Sequence, residues 1–123
     1  MQYDKDIKGV HADIFKSVRK ILLSYAQIKE LKNENQTSYS DEYGVIVMMR
    51  SRKDMFVMAF GKGAQLQERY PMLQGSGKIV RHLYFRGMGD LDEKLLREMI
   101  EESFVLGMEK YEMQTLKNFL RDQ

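Results

Sequence analysis

Two lysines next to glycines are the first candidates for chemistry in this 123-residue chain: Lys62 lies between two glycines, and Lys78 follows another. Glycine-lysine pairs hold phosphate in the P-loop, where a Ser or Thr must follow the lysine to bind magnesium and the loop must open a helix. Here Ile79 follows Lys78, and the next residues favour a strand. We therefore interpret the glycines as turn residues and predict no nucleoside triphosphate site.

The basic side chains around these turns predict a different kind of site. Residues 50–86 carry eight basic and only two acidic side chains. The basic ones are Arg50, Arg52, Lys53, Lys62, Arg69, Lys78, Arg81 and Arg86, and the acidic ones are Asp54 and Glu68. Such an excess attracts anions if the side chains converge. We predict that Lys62, Lys78, Arg81 and His82 bind an anionic ligand or partner.

Aromatic residues are interleaved with this basic segment. Tyr70, Tyr84 and Phe85 are the examples, and basic residues with aromatics are a pattern that nucleic-acid-binding proteins use. Aromatics on strands belong more often to the core. Nucleic acid is therefore the less favoured of the anionic partners.

Carboxylates form an alternative site. Glu98, Glu101 and Glu102 recur at helical spacing, and carboxylate oxygens could bind iron or calcium. Lys94 and Arg97 precede Glu98 and Glu101 by four residues, which favours ordinary ion pairs on the helix surface. The ion-pair interpretation is therefore preferred, and iron remains the alternative.

Several other chemistries find no residues to support them. The chain has no cysteine, and its two histidines, His11 and His82, belong to different predicted elements without ligand spacing. No GxSxG nucleophile elbow is present. No apolar run has the length of a signal peptide or membrane span. We expect a soluble, cytoplasmic protein without catalytic residues, disulfides or a resident cofactor.

The elements that must position these residues follow from apolar spacing. Positions three and four apart predict one helix over 12–25 and a second, capped helix that begins near Asp90, with Gly107 ending or bending it. Between them, β-favouring runs predict a hairpin of 43–50 and 55–60 and a further strand over 79–86. The predicted fold is α+β, an antiparallel β-sheet with an N-terminal and a C-terminal helix packed on one face.

The chain divides into three predicted parts. Residues 1–11 form an N-terminal tail, 12–106 a single α+β domain, and 107–123 a C-terminal helical extension. The extension is apolar on one side, and ten methionines favour adaptable contact surfaces. Both features predict a protein partner, with a homodimer as the simplest case.

A set of short motifs resembles one known family. They are Phe15 to Arg19, Thr37-Ser38-Tyr39, Phe60-Gly61-Lys62-Gly63-Ala64, and Gly75-Ser76-Gly77-Lys78 with Arg81 three positions later. In this order, and followed by a capped amphipathic helix, the motifs resemble the YdhG-like family over residues 12–106. The resemblance implies a bacterial domain of unknown function with a compact, frataxin-like α+β fold. Some members are described as frataxin-like iron chaperones, and no catalytic residue is carried over.

Two functional hypotheses follow. In the first, the protein is a non-enzymatic binding module whose basic face receives an anionic ligand or partner. In the second, which the resemblance suggests, it is an iron chaperone that binds iron through carboxylates such as Glu98, Glu101 and Glu102.

Overall fold

A computed structural model describes residues 1–123, and it places five antiparallel strands in one sheet in chain order. The strands are β1 (Lys29–Lys32), β2 (Thr37–Asp41), β3 (Gly44–Ser51), β4 (Phe56–Phe60) and β5 (Arg81–Phe85). The helices are α1 (Gln2–Asp6), α2 (Ala12–Leu23), α3 (Gly63–Gln67) and α4 (Glu93–Arg121), with a 3₁₀ turn over Met88–Asp90. This architecture confirms the predicted α+β fold.

The core lies between α2, α4 and one face of the sheet. Alternate residues of β4, namely Phe56, Met58 and Phe60, are fully buried on this face. The Phe15 ring of α2 meets the Phe56 ring edge to face, with centroids 6.3 Å apart. Leu96 of α4 belongs to the same buried cluster. Because successive strand residues alternate between faces, this spacing assigns the sheet one core-facing side.

The opposite side of the sheet carries a different row of residues. Met48, Ala59 and His82 are direct cross-strand neighbours on β3, β4 and β5, and all three are half-buried. Tyr84 lies two residues beyond His82 on the same side. The two long helices pack on the other face, so this row meets solvent.

Helix α4 begins slightly later than predicted and includes most of the segment predicted as a separate helical extension. Its N-cap is Asp92, whose Oδ1 accepts a hydrogen bond from the Leu95 N–H at 3.1 Å, as an N-cap carboxylate does. Asp90 instead accepts from the Arg86 N–H at 2.7 Å. The helix then continues through Gly107 for 29 residues in all. Gly107 therefore does not end the helix, and a Cβ at this position would lie 3.2 Å from Tyr43 Cβ.

The predicted N-terminal tail is partly helical and packed. Asp6, at the end of α1, is buried, and its Oδ1 accepts from the Ser51 N–H at 3.1 Å and from Gln2 Nε2 at 2.8 Å. Asp6 Oδ2 has no hydrogen-bond partner. Burial raises the pKa of Asp6, although the two hydrogen bonds and the nearby His11 and Arg50 oppose the shift.

A polar network joins α2 to the first two strands. Arg19 donates to Glu30 through Nε at 2.7 Å and through Nη2 at 3.1 Å, and the Tyr39 hydroxyl donates to Glu30 Oε2 at 2.7 Å. Burial alone would raise the pKa of Glu30, but these hydrogen bonds outweigh it and the pKa is lowered. Arg19 therefore turns towards β1 rather than out to solvent.

None of the helices combines the length and the apolar composition that a bilayer crossing requires.

Candidate functional site

Two of the four predicted anion-binding residues line one recess. Lys62 and Lys78 share it with Lys110 of α4, and the remaining lining residues are Gly61, Ala64, Gln65 and Ile79. Its volume is about 270 Å³. We call this site the lysine recess. No carboxylate lines it.

Close backbone packing explains why the recess is built on glycines. A Cβ at Gly61 would lie 2.5 Å from the Val45 carbonyl oxygen, and one at Gly63 would lie 2.6 Å from Arg81 Cβ. Neither separation is tolerable, so only glycine allows the turn from β4 into α3 to pass this close to β3 and β5. The Ala64 N–H then donates to the Ile79 carbonyl at 2.8 Å and fixes one wall of the recess against the other.

The lysines of the recess are electrostatically unpaired. The four salt bridges of the protein are Met1–Asp4, Arg19–Glu30, Arg69–Glu102 and Arg97–Glu93, none of which includes a recess lysine. Glu42 lines an adjoining hollow together with Lys62 and Lys110. Lys62 is half-buried, and the other two lysines are exposed. Three lysines therefore line a concave surface that has no carboxylate in its wall, which favours anions.

Arg81 has a different role from the one that its sequence position predicts. Its Nε donates to Gln67 Oε1 at 2.8 Å, and its Nη1 donates to the carbonyl oxygens of Gly77 and Val80, the latter at 2.9 Å. The guanidinium thus holds the 77–80 turn against α3. It does not line the lysine recess.

His82 lies apart from the lysine recess, on the solvent-facing side of the sheet. Its ring stacks on Tyr84 with centroids 5.9 Å apart. It lines a second hollow of about 250 Å³, whose basic members are Arg50 and Arg52. The positive charge of residues 50–86 is therefore divided between two places rather than gathered in one.

The aromatic residues of the basic segment lie mainly in the core. Tyr70 and Phe85 are buried, and only Tyr84 is half-exposed. The segment thus presents a single accessible tyrosine, Tyr84, beside His82. This is few aromatic side chains for stacking against nucleic-acid bases.

The three glutamates of the alternative site do not form a metal-binding group. Glu101 accepts a hydrogen bond from the Tyr25 hydroxyl at 2.8 Å, and Glu102 pairs with Arg69 at 3.7 Å. Glu98 is exposed. Nowhere in the chain do three or more His, Asp or Glu side chains come together in a way that could hold a metal ion. The predicted Arg97–Glu101 ion pair is also replaced, because Arg97 bonds to Glu93 at 3.0 Å.

The largest cavity lies elsewhere, between the outer edge of β5 and α4. It measures about 720 Å³ and is mainly apolar, with Leu83, Leu95 and Met99 among its lining residues. Two arginines, Arg52 and Arg86, and two aspartates, Asp90 and Asp92, also line it. Because these charges balance, the cavity has no preference for an anion.

Lys110 is the member of the lysine recess that sequence reasoning did not find. It lies in the segment assigned to a separate extension, and it reaches the recess only because α4 continues unbroken through Gly107. The exposed positions around it give no pattern that distinguishes it from an ordinary surface lysine.

Comparisons with protein-family models, with curated proteins and with solved structures gave no match.

Proposed function

We propose that this protein is a non-enzymatic binding module that receives a compact, multiply charged anion in the lysine recess. The observation that carries the proposal is that Lys62, Lys78 and Lys110 line one hollow while none of them is paired with a carboxylate. The YdhG-like resemblance, which includes both glycine-lysine turns, agrees with a role for these lysines and remains a prediction.

The size and chemistry of the recess favour a phosphate-containing ligand of small size. A volume of about 270 Å³ is at the lower limit of small-molecule sites. Lysine binds phosphate as a flexible point charge, without the planar geometry that arginine imposes. The side-chain amide of Gln65, also in the lining, supplies a neutral donor. Inorganic phosphate and pyrophosphate are therefore suitable first probes.

Calorimetric titration with matched charge variants tests the proposal. The site variant is Lys62→Gln/Lys78→Gln/Lys110→Gln, and the control is Lys8→Gln/Lys53→Gln/Lys94→Gln, which removes the same number of charges from lysines that do not line the recess. We expect pyrophosphate affinity to fall about tenfold or more in the site variant, which corresponds to about 1.4 kcal/mol, and to change little in the control. Equal affinity of the wild type and the site variant would exclude the recess as the anion site.

A short duplex oligonucleotide serves as a second probe in the same assay. Binding to duplex DNA through several phosphates would give an affinity that falls steeply with salt, with a slope of about −0.9 per phosphate neutralised. The recess has room for one phosphate group or two, so we expect pyrophosphate to compete with any oligonucleotide that binds. An oligonucleotide that binds tightly and is not displaced would place the main partner on another surface.

A further inference from the structure

The C-terminal half of α4 exposes a row of large apolar side chains. From Met108 to the end of the helix every residue is exposed. Among them are Met108, Tyr111, Met113, Leu116, Phe119 and Leu120, which retain 44–60% of their accessible surface. The Tyr111 ring lies 5.3 Å from that of Tyr43, where the helix still meets the domain. The hollow beside Tyr43 reaches as far as Gln114, and residues 115–121 extend beyond it.

Three of these residues, together with Leu106, have the spacing of a two-helix seam. Leu106, Met113 and Leu120 recur every seven residues, and Leu116 follows Met113 by three. This is the a and d pattern of a coiled coil, with Glu109 as the one polar member at a d position. Gln114 and Asn118 lie on another side of the helix, where Gln114 Nε2 donates to Asn118 Oδ1 at 3.0 Å.

Beyond Leu106, which packs partly against the core, the seam faces away from the core. The buried residues of α4 are Leu96, Met99, Ile100, Ser103, Phe104 and Gly107. At 100° per residue, Leu116 lies on the far side of the helix from Ser103 and Gly107. A second helix could therefore approach Met113, Leu116 and Leu120, which are all exposed, without displacing the packing of α4 on the domain.

We propose that residues 105–121 of α4 pair in parallel with the same residues of a second copy of this chain. The charges beside the seam favour this partner and this direction. Glu112 occupies a g position and Lys117 the e position five residues later, so a parallel pair forms two Glu112–Lys117 contacts between the copies. An antiparallel pair would instead bring Lys110 of one copy near Lys117 of the other.

The length and charge of the segment limit the alternatives. A helix of about 14 exposed residues is marginal in water without a partner, so pairing also stabilises the extension itself. Residues 108–123 carry three basic side chains, Lys110, Lys117 and Arg121, and three acidic ones, Glu109, Glu112 and Asp122. With no net charge, the segment gains nothing from an anionic bilayer surface. The seam covers little more than two heptads, so the dimer is weak and depends on concentration.

Sedimentation velocity of the full chain tests the pairing, from about 5 to about 500 µM because a weak dimer forms by mass action. We expect the wild type to pass from monomer to dimer and Leu116→Glu to remain monomeric throughout. The control Gln114→Glu adds the same charge at a position outside the seam and should dimerise as the wild type does. Circular dichroism checks that each variant keeps its helix, and Leu120→Glu repeats the seam test at an independent exposed position.

Each outcome decides part of the proposal. A wild type that stays monomeric at the highest concentration overturns it, as does a dimer that persists in both seam variants. Lys117→Glu should weaken the dimer, and Glu112→Lys/Lys117→Glu should restore it. If seam variants abolish the dimer but this charge exchange has no effect, the parallel direction is wrong. Binding of the monomer to vesicles of anionic phospholipid through Leu116 and Leu120 would identify a membrane surface instead of a second copy.

Discussion

Arg81 is bound to Gln67: its Nε donates to Gln67 Oε1 at 2.8 Å, across the gap between the start of β5 and the end of α3. Its Nη1 also donates to the Val80 carbonyl oxygen at 2.9 Å. The guanidinium is half-buried and largely used by the protein itself. A residue that its sequence position assigned to an anionic ligand is therefore part of the scaffold that carries the lysine recess.

This contact predicts that Arg81→Gln lowers stability while the folded protein keeps its affinity for anions. Hydrogen bonds from a charged group contribute roughly 1.5–3 kcal/mol each, and partial exposure reduces this, so we expect a loss of about 1–2 kcal/mol. Urea unfolding measures the loss, and pyrophosphate titration measures the affinity. Arg86→Gln is the control, because the side chain of Arg86 is exposed. A stable Arg81→Gln protein that no longer binds pyrophosphate would show that Arg81 belongs to the binding site.

The close approach at Gly63 predicts a large effect of a single methyl group. In Gly63→Ala the new Cβ would lie 2.6 Å from Arg81 Cβ, so α3 and β5 must separate. We expect a loss of about 1–3 kcal/mol, as for other overpacked sites. Gly87→Ala provides the comparison, because a Cβ there meets nothing within 4 Å. Thermal unfolding that leaves both variants equally stable would show that the turn does not need glycine.

The buried carboxyl of Asp6 predicts a pH dependence of stability. Burial raises the pKa of Asp6 in the folded protein above its usual 3.8, so the folded state holds this proton more tightly than the unfolded state does. The resulting stabilisation is complete below the unfolded pKa and is lost as the pH rises through the folded pKa. At neutral pH the buried carboxylate is ionised, and its charge lowers the stability of the folded state because Oδ2 has no hydrogen-bond partner.

Replacing Asp6 by Asn removes this titration. We expect Asp6→Asn to have a higher free energy of unfolding than the wild type at pH 7, and the two to converge as the pH falls below about 4, the ordinary range of an aspartate. Asp4→Asn is the control on the same helix, since Asp4 is exposed. Urea unfolding at a series of pH values provides the measurement. A constant difference between Asp6→Asn and wild type at every pH would show that Asp6 does not titrate abnormally.

The fold was predictable because its signals are local and repeated. Phe15 and its neighbours in α2, and Leu96 and Met99 in α4, recur at helical spacing and are buried as that spacing requires. The ends of elements were harder. The α4 cap depends on Asp92 rather than Asp90, a distinction that backbone geometry decides and residue type does not, since both are aspartates.

The candidate site was only partly predictable, because charge counts along the chain do not say where side chains meet. Lys62 and Lys78 share a recess since the Ala64–Ile79 hydrogen bond joins their turns, whereas Arg81 is bound by Gln67. Lys110 enters from a distant helix. These relationships are tertiary, and nothing in the spacing of the residues encodes them.

The most direct test of the lysine recess is a ¹H–¹⁵N correlation experiment that follows every backbone amide during titration with pyrophosphate. The account predicts that the largest saturable shifts fall on residues 61–65 and 78–79 and on Lys110, with little change at Arg50, Arg52 and His82. Shifts centred on those three residues of the open sheet face, or no saturable shifts at all, would contradict it.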